Sequence, residues 1–164
     1  NRLTIIFTRR HVNIESLTVS ESEIHGIHRF TIIVKETEEK IQKIVKQIEK
    51  QVEVLKASYY ISDQVVQQEI ALYKVDTKTL AHGENVERLI RENNAHILDV
   101  EPEYIVIEKT GHPDETQALF ERLEPFGVLQ FVRSGRIAIT KQIRELTSYL
   151  KELDEVNRTY QNIN

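Results

Sequence analysis

The 164-residue sequence predicts an α+β protein of two units built on one plan, each with helices laid against an antiparallel sheet, plus a C-terminal helix. Three observations lead there. Short β-rich or alternating apolar stretches are interleaved with amphipathic stripes at three-four spacing. The element order of the second half, strand-helix-strand-strand-helix-strand, repeats in the first half with one strand lacking at the front. A local echo accompanies the repeat: Arg2-Leu3-Thr4-Ile5 leads through a helix to Val12-Asn13-Ile14, and Arg88-Leu89-Ile90 leads through a helix to His96-Ile97-Leu98.

The first unit, residues 1–62, opens in a helix over 1–10 whose stripe is Leu3, Ile6 and Phe7. Val12 to Val19 is a strand whose apolar phase shifts between Ile14 and Leu17, which predicts a bulge or burial on both faces. Ser20 to Gly26 is polar and reads as a loop. Phe30, Ile32 and Val34 alternate with Arg29, Thr31 and Lys35, the pattern of a half-buried strand. Thr37 is placed to cap a helix, with Glu38 and Glu39 where the helix dipole favours negative charge. Ile41, Ile44, Val45, Ile48 and Val52 make the helix stripe, and Glu39 and Lys43 an i, i+4 pair. Lys40, Lys43, Lys46 and Lys50 read as a solvated helix face, not a basic patch. Val52 to Ile61 is expected to be a strand, and Ser62 to Gln68 the linker.

The second unit, residues 63–140, continues with a strand carrying Ile70, Leu72, Tyr73 and Val75. Thr77 to Gly83 reads as a loop. Val86, Leu89 and Ile90 form a helix stripe that stops near Asn93-Asn94. Strands follow at His96–Val100 and Tyr104–Glu108 around a turn at Glu101-Pro102-Glu103. Pro113 fits the first position of a helix whose inward residues are Leu119, Phe120 and Leu123, ended by Pro125-Phe126-Gly127. Val128–Val132 and Ile137–Ile139 are strands. This β-α-β-β-α-β order is the ferredoxin-like, split β-α-β plan. The tail, 141–164, has a stripe of Ile143, Leu146, Leu150 and Leu153. Such a helix cannot bury its stripe alone and must dock on its own domain, a second copy or a partner.

Composition narrows function. A net charge of −4 argues against general affinity for nucleic acid or anionic membranes. The absence of cysteine removes disulfides and thiolate metal sites. No apolar run approaches the ~18 residues of a membrane span, and no signal peptide is recognisable. With no methionine and an opening inside a helix, the native start is expected to be missing.

Few residues suggest chemistry. His25 and His28 lie three apart near Glu23, short of the three or four converging ligands a metal requires. Arg133-Ser134-Gly135-Arg136 is either an anion cradle or a hairpin turn with solvated arginines. Arg9 and Arg10 suit a helix C-terminus. No nucleophile, base or carboxylate pair meets the requirements of an enzyme site. Asn13 stands where a helix hands over to a strand. Its amide offers both a donor and an acceptor, and the position is a good one from which to hold a small polar ligand, although asparagine also marks turns. An RNA-recognition module of the same strand order is a weaker alternative, because the Arg29–Val34 strand has one aromatic and the charge is negative.

Arg9-Arg10-His11-Val12-Asn13-Ile14-Glu15-Ser16-Leu17-Thr18-Val19 resembles the R-R/G-x-N-I-E-S-L-T-V segment of the acetolactate synthase (acetohydroxyacid synthase) small regulatory subunits. The resemblance continues at Val45–Lys50, Val52–Leu55, Glu69–Val75 and Pro125–Ala138. It implies an N-terminal ACT domain and a C-terminal ferredoxin-like domain, in a non-catalytic homodimer with no cofactor of its own. It further implies activation of a thiamine-diphosphate-dependent catalytic subunit and feedback inhibition by valine or another branched-chain amino acid, in the bacterial cytoplasm. Effector sites of such domains lie where two ACT domains meet, and the part at the start of the second strand matches Asn13 and Ile14. The loop after the first strand has no counterpart in this sequence, and the tail extends beyond the usual family end. An ACT-type sensor serving another enzyme is the alternative, against which Arg133 to Ala138 argues.

Overall fold

A computed structural model describes residues 2–80, 85–143 and 145–163. The chain divides into two compact units, residues 1–66 with 138–164, and residues 67–137.

In the first unit, α1 (Arg2–Arg9) buries Ile6 and Phe7, the apolar positions of its three-four stripe. The chain then enters β1 (Ile14–Glu21), which pairs antiparallel with β2 (His28–Val34). The register slips between Ile14 and Ser16, so the predicted phase shift is a bulge. Cross-strand partners Ile14 and Val34, Leu17 and Ile32, and Val19 and Phe30 therefore share one face. The loop is shorter than the sequence suggested, because β1 runs on through Glu21. It is closed by Ser22 N–H donating to the Ile27 carbonyl at 2.7 Å.

α2 (Glu38–Ile48) buries Ile44 and Ile48, and its first-turn acids sit as expected. Thr37 holds the extended N-cap conformation, yet its side chain makes no capping bond. Val52, counted in the helix stripe, lies beyond the helix and is 64% exposed. The expected strand over Val52 to Ile61 does not form. In the plan the last strand pairs with the first, and residues 2–61 contain no first strand to pair with. The segment instead packs irregularly, with Val54 and Ala57 against the core of Ile6, Phe7, Val12, Ile44 and Ile48.

The second unit has the full plan. β3 (Val65–Asp76), β4 (His96–Val100), β5 (Tyr104–Gly111) and β6 (Val128–Arg133) stand in the order β4-β5-β3-β6, each pair antiparallel. Between them lie α3 (Thr77–Leu80), α4 (Asn85–Glu92) and α5 (Pro113–Leu123). Thr77 opens a helical turn, not a loop, and the rest of the expected loop, 81–83, lies outside the described residues. Ala71, Tyr73, Val75, Ile105, Ile107, Leu119 and Leu123 form the core with Val86, Leu89 and Ile90. Phe131 stacks between Tyr73 and Phe120 at 5.1 and 4.7 Å.

Two further expectations need correction. The polar stretch Ser62–Gln68 is a single helical turn, Ser62–Gln64, followed by the start of β3. And residues 134–136 are not a hairpin. After β6 the chain keeps its course along β3: Ser134 N–H donates to the Ile70 carbonyl at 2.8 Å, and β7 (Ile137–Thr140) pairs with β3 again. β3 is thus long enough to draw its glutamines into a ladder, which polarity alone does not forecast.

The tail forms α6 (Leu146–Ile163), docked on its own unit. Arg29 Nη2 donates to Tyr149 Oη at 3.1 Å, Lys56 pairs with Glu152, and Leu153 is buried. Ile143 precedes the helix and is fully exposed. Arg144 lies outside the described residues.

Candidate functional site

The turn that presents Asn13 is built by hydrogen bonds at the end of α1. Val12 N–H donates to the Phe7 carbonyl and His11 N–H to the Thr8 carbonyl, both at 3.0 Å. These are the two bonds of a Schellman motif. The motif requires a left-handed residue, and His11 takes it at φ 52°. Val12, next in line, is 6% exposed and packs with Ile6 and Phe7, the apolar contact that closes such caps. With Val12 anchored inward, Asn13 is turned out to solvent before the ladder begins. Its side chain takes no partner among the described residues. Ile14 opens β1 at the bulge, half-buried against the core beside Val34.

The second unit repeats this construction. Ala95 N–H donates to the Ile90 carbonyl at 2.9 Å and Asn94 N–H to Arg91 at 3.2 Å, with Asn94 at φ 50° and Ala95 buried. The buried Lys109 adds a bond from Nζ to the Asn93 carbonyl at 2.7 Å. The echo between the two halves is thus a shared helix cap. His96 stands in the place of Asn13, and its Nδ1 faces Glu108 at 3.4 Å.

Arg133 and Arg136 are turned to an internal carboxylate. Glu69, only 5% exposed, accepts from Arg133 Nε at 2.9 Å and Thr116 Oγ1 at 2.5 Å, with Arg136 Nε at 4.0 Å. Arg133 Nη2 also donates to the Pro113 carbonyl at 2.6 Å. Arg133 therefore fastens the start of α5 to the sheet, and Arg136 faces the same carboxylate, in place of the solvated arginines or anion cradle that the motif suggested. Nearby, Tyr73 donates its phenol to the Thr116 carbonyl at 2.6 Å, and burial pushes its pKa up.

His25 faces Glu21 at 2.8 Å, and no three metal-ligating side chains converge among the described residues. Sequence reasoning missed Glu69 because nothing in a strand pattern distinguishes a buried glutamate. It missed the neighbourhood of Arg10 because the partner residues lie on another helix.

This is the architecture of a chain with an ACT-type N-terminal unit and a ferredoxin-like second unit. Residues 1–56 match the AHAS small subunit-like ACT domain, and residues 68–142 match the small subunit of acetolactate synthase. The chain belongs to the acetolactate synthase small-subunit family, the regulatory partners of that enzyme. The small subunit from Bacillus subtilis (strain 168) is 35% identical over 161 residues, covering 95% of this chain and 91% of the relative. At that coverage the match runs into the C-terminal tail. The small subunit from Mycolicibacterium smegmatis is 33% identical over 140 residues, covering 85% and 82%. The crystal structure of the Thermotoga maritima small subunit superposes with a TM-score of 0.77 at 32% identity, covering 87% of this chain and 89% of that one.

Proposed function

We propose that this chain activates a thiamine-diphosphate-dependent acetolactate synthase catalytic subunit in the bacterial cytoplasm. In the same proposal it mediates feedback inhibition by valine or a related amino acid, bound where two copies of the N-terminal unit meet. Asn13 and Ile14 contribute to that site. The division into an ACT domain (1–62), a second domain (63–140) and a helical tail (141–164) belongs to this reading.

The observation that carries it is the presentation of Asn13. A rigid helix cap holds an unengaged amide at the surface, next to the first apolar residue of a strand. Such an amide can meet both the ammonium and the carboxylate of an amino acid, and apolar neighbours can enclose an aliphatic side chain. A second feature supports the homodimer. Leu17, Val19 and Phe30, 37%, 47% and 42% exposed, extend the apolar face of Ile14, Ile32 and Val34 beyond its packed end. Covering that surface would remove a penalty that a lone unit pays to water.

The test is acetolactate formation by the catalytic subunit, alone and with this chain, over a valine titration. Activation by the chain and inhibition by valine are expected. Asn13→Ala is expected to retain activation while losing roughly tenfold or more in valine sensitivity, the range for removing a polar contact to a charged ligand. An unchanged inhibition curve for Asn13→Ala would remove Asn13 from the site, and absent activation would remove the regulatory role.

A further inference from the structure

Arg10 follows the last residue of α1, and its Nε donates to Gln47 Oε1 on α2 at 2.9 Å. Lys43, Lys46 and Gln47 lie on one face of α2, and Lys50 follows in the turn just past its end. With Arg10 they line a shallow, open depression of about 410 Å³. Lys43 is answered by Glu39 at 2.6 Å. Arg10, Lys46 and Lys50 have no carboxylate partner among the described residues. Three uncompensated cations therefore gather on a chain of net charge −4. The lysines alone would be ordinary solvated tips. Arg10 changes this, because it comes from a second helix and is held in place by a hydrogen bond, with part of its ordering entropy already spent.

The backbone decides which anion suits the patch. Both helices present their C-terminal ends here, each carrying about half a negative charge. Two such ends offset only about one of the three cations, so the patch stays positive. They also offer carbonyls, where a small phosphate would need backbone N–H groups. Long side chains reaching past those carbonyls fit carboxylates spread over a broad, flat surface. We propose that this patch docks an acidic surface of the acetolactate synthase catalytic subunit. The proposal rests on the regulatory-subunit reading above and adds where the partner is engaged. Interfacial charges of this kind set association rate and register, and salt screens them.

The test measures association of the whole chain with the purified catalytic subunit at about 0.05 and 0.5 M salt. It compares wild type, Lys46→Glu/Lys50→Glu, Arg10→Gln, and the control Lys35→Glu/Lys141→Glu, whose net charge matches the first variant. Thermal unfolding midpoints establish that each variant is folded. The expected result is a loss of roughly tenfold or more for Lys46→Glu/Lys50→Glu at low salt, narrowing at high salt. A smaller loss in the same direction is expected for Arg10→Gln, and about twofold or less for the control. If wild type binds and Lys46→Glu/Lys50→Glu loses no more than the control, the docking proposal is overturned while the regulatory reading stands. If wild type does not bind, that reading fails and the docking proposal with it. Inorganic diphosphate binding that Lys46→Glu/Lys50→Glu abolishes, with subunit affinity unchanged, would assign the patch to a small anion and also overturn it.

Discussion

The cap before the candidate site carries a strain that a substitution can release. His11 holds φ 52°, a region where a side chain costs about 1–2 kcal/mol and glycine costs almost nothing. Its imidazole is exposed, so truncation gives up little packing. His11→Gly trades that strain for the extra freedom of glycine in the unfolded chain, about 0.5–1 kcal/mol. The net gain is about 0.5–1 kcal/mol. In a domain of this size, 1 kcal/mol moves the midpoint by about 4–8 °C, so a rise of roughly 2–8 °C is expected for the first unit. Asn94→Gly is the internal comparison, because Asn94 sits at φ 50° in the matching cap of the second unit. Asparagine tolerates that region better than histidine, so its gain is expected to be smaller. Differential scanning calorimetry on the two variants decides the matter. Equal or lower stability for His11→Gly, with a gain for Asn94→Gly, would refute the reasoning that the bonds from Val12 and His11 dictate this conformation.

Two predictions concern the second unit. Arg133→Ala leaves the Glu69 carboxylate buried with Thr116 and a more distant Arg136. Removing one partner of a buried pair costs about 3–5 kcal/mol, and because Arg133 is about a third exposed the expected loss is nearer 2–3 kcal/mol, read by urea denaturation. Tyr73 titrates at higher pH folded than unfolded, so its phenol contributes stability that is complete below the unfolded pKa of about 10 and is lost as pH rises above it. Tyr73→Phe should therefore flatten the fall of stability between about pH 9.5 and 11, and an unchanged slope would dismiss Tyr73 as its source.

Much of this fold was legible in the sequence because the core residues are spaced by secondary structure. Leu3, Ile6 and Phe7 gave α1, Pro113 marked the start of α5, and the phase shift after Ile14 became a bulge. Val52 to Ile61 was misleading, since alternation reports a β-prone segment but not whether a neighbouring strand exists to receive its hydrogen bonds. The start of β3 was missed for the converse reason: Gln67 and Gln68 are polar but have a ladder to join. At the candidate site, Asn13 could be picked out as a helix-strand junction. The left-handed His11 was hidden because the motif most often uses glycine, and Arg10 with Gln47 was hidden because contacts between helices leave no mark on spacing.

The measurement that bears most directly on the regulatory role is calorimetric titration of valine, leucine and isoleucine into the assembled complex of this chain with its catalytic subunit. Wild-type and Asn13→Ala chains would be compared side by side. The account predicts saturable heat from at least one of the three amino acids with wild type, and a loss of roughly tenfold or more in affinity with Asn13→Ala. Identical titrations for the two chains, or no heat from any of the three in a complex that does form, would contradict it.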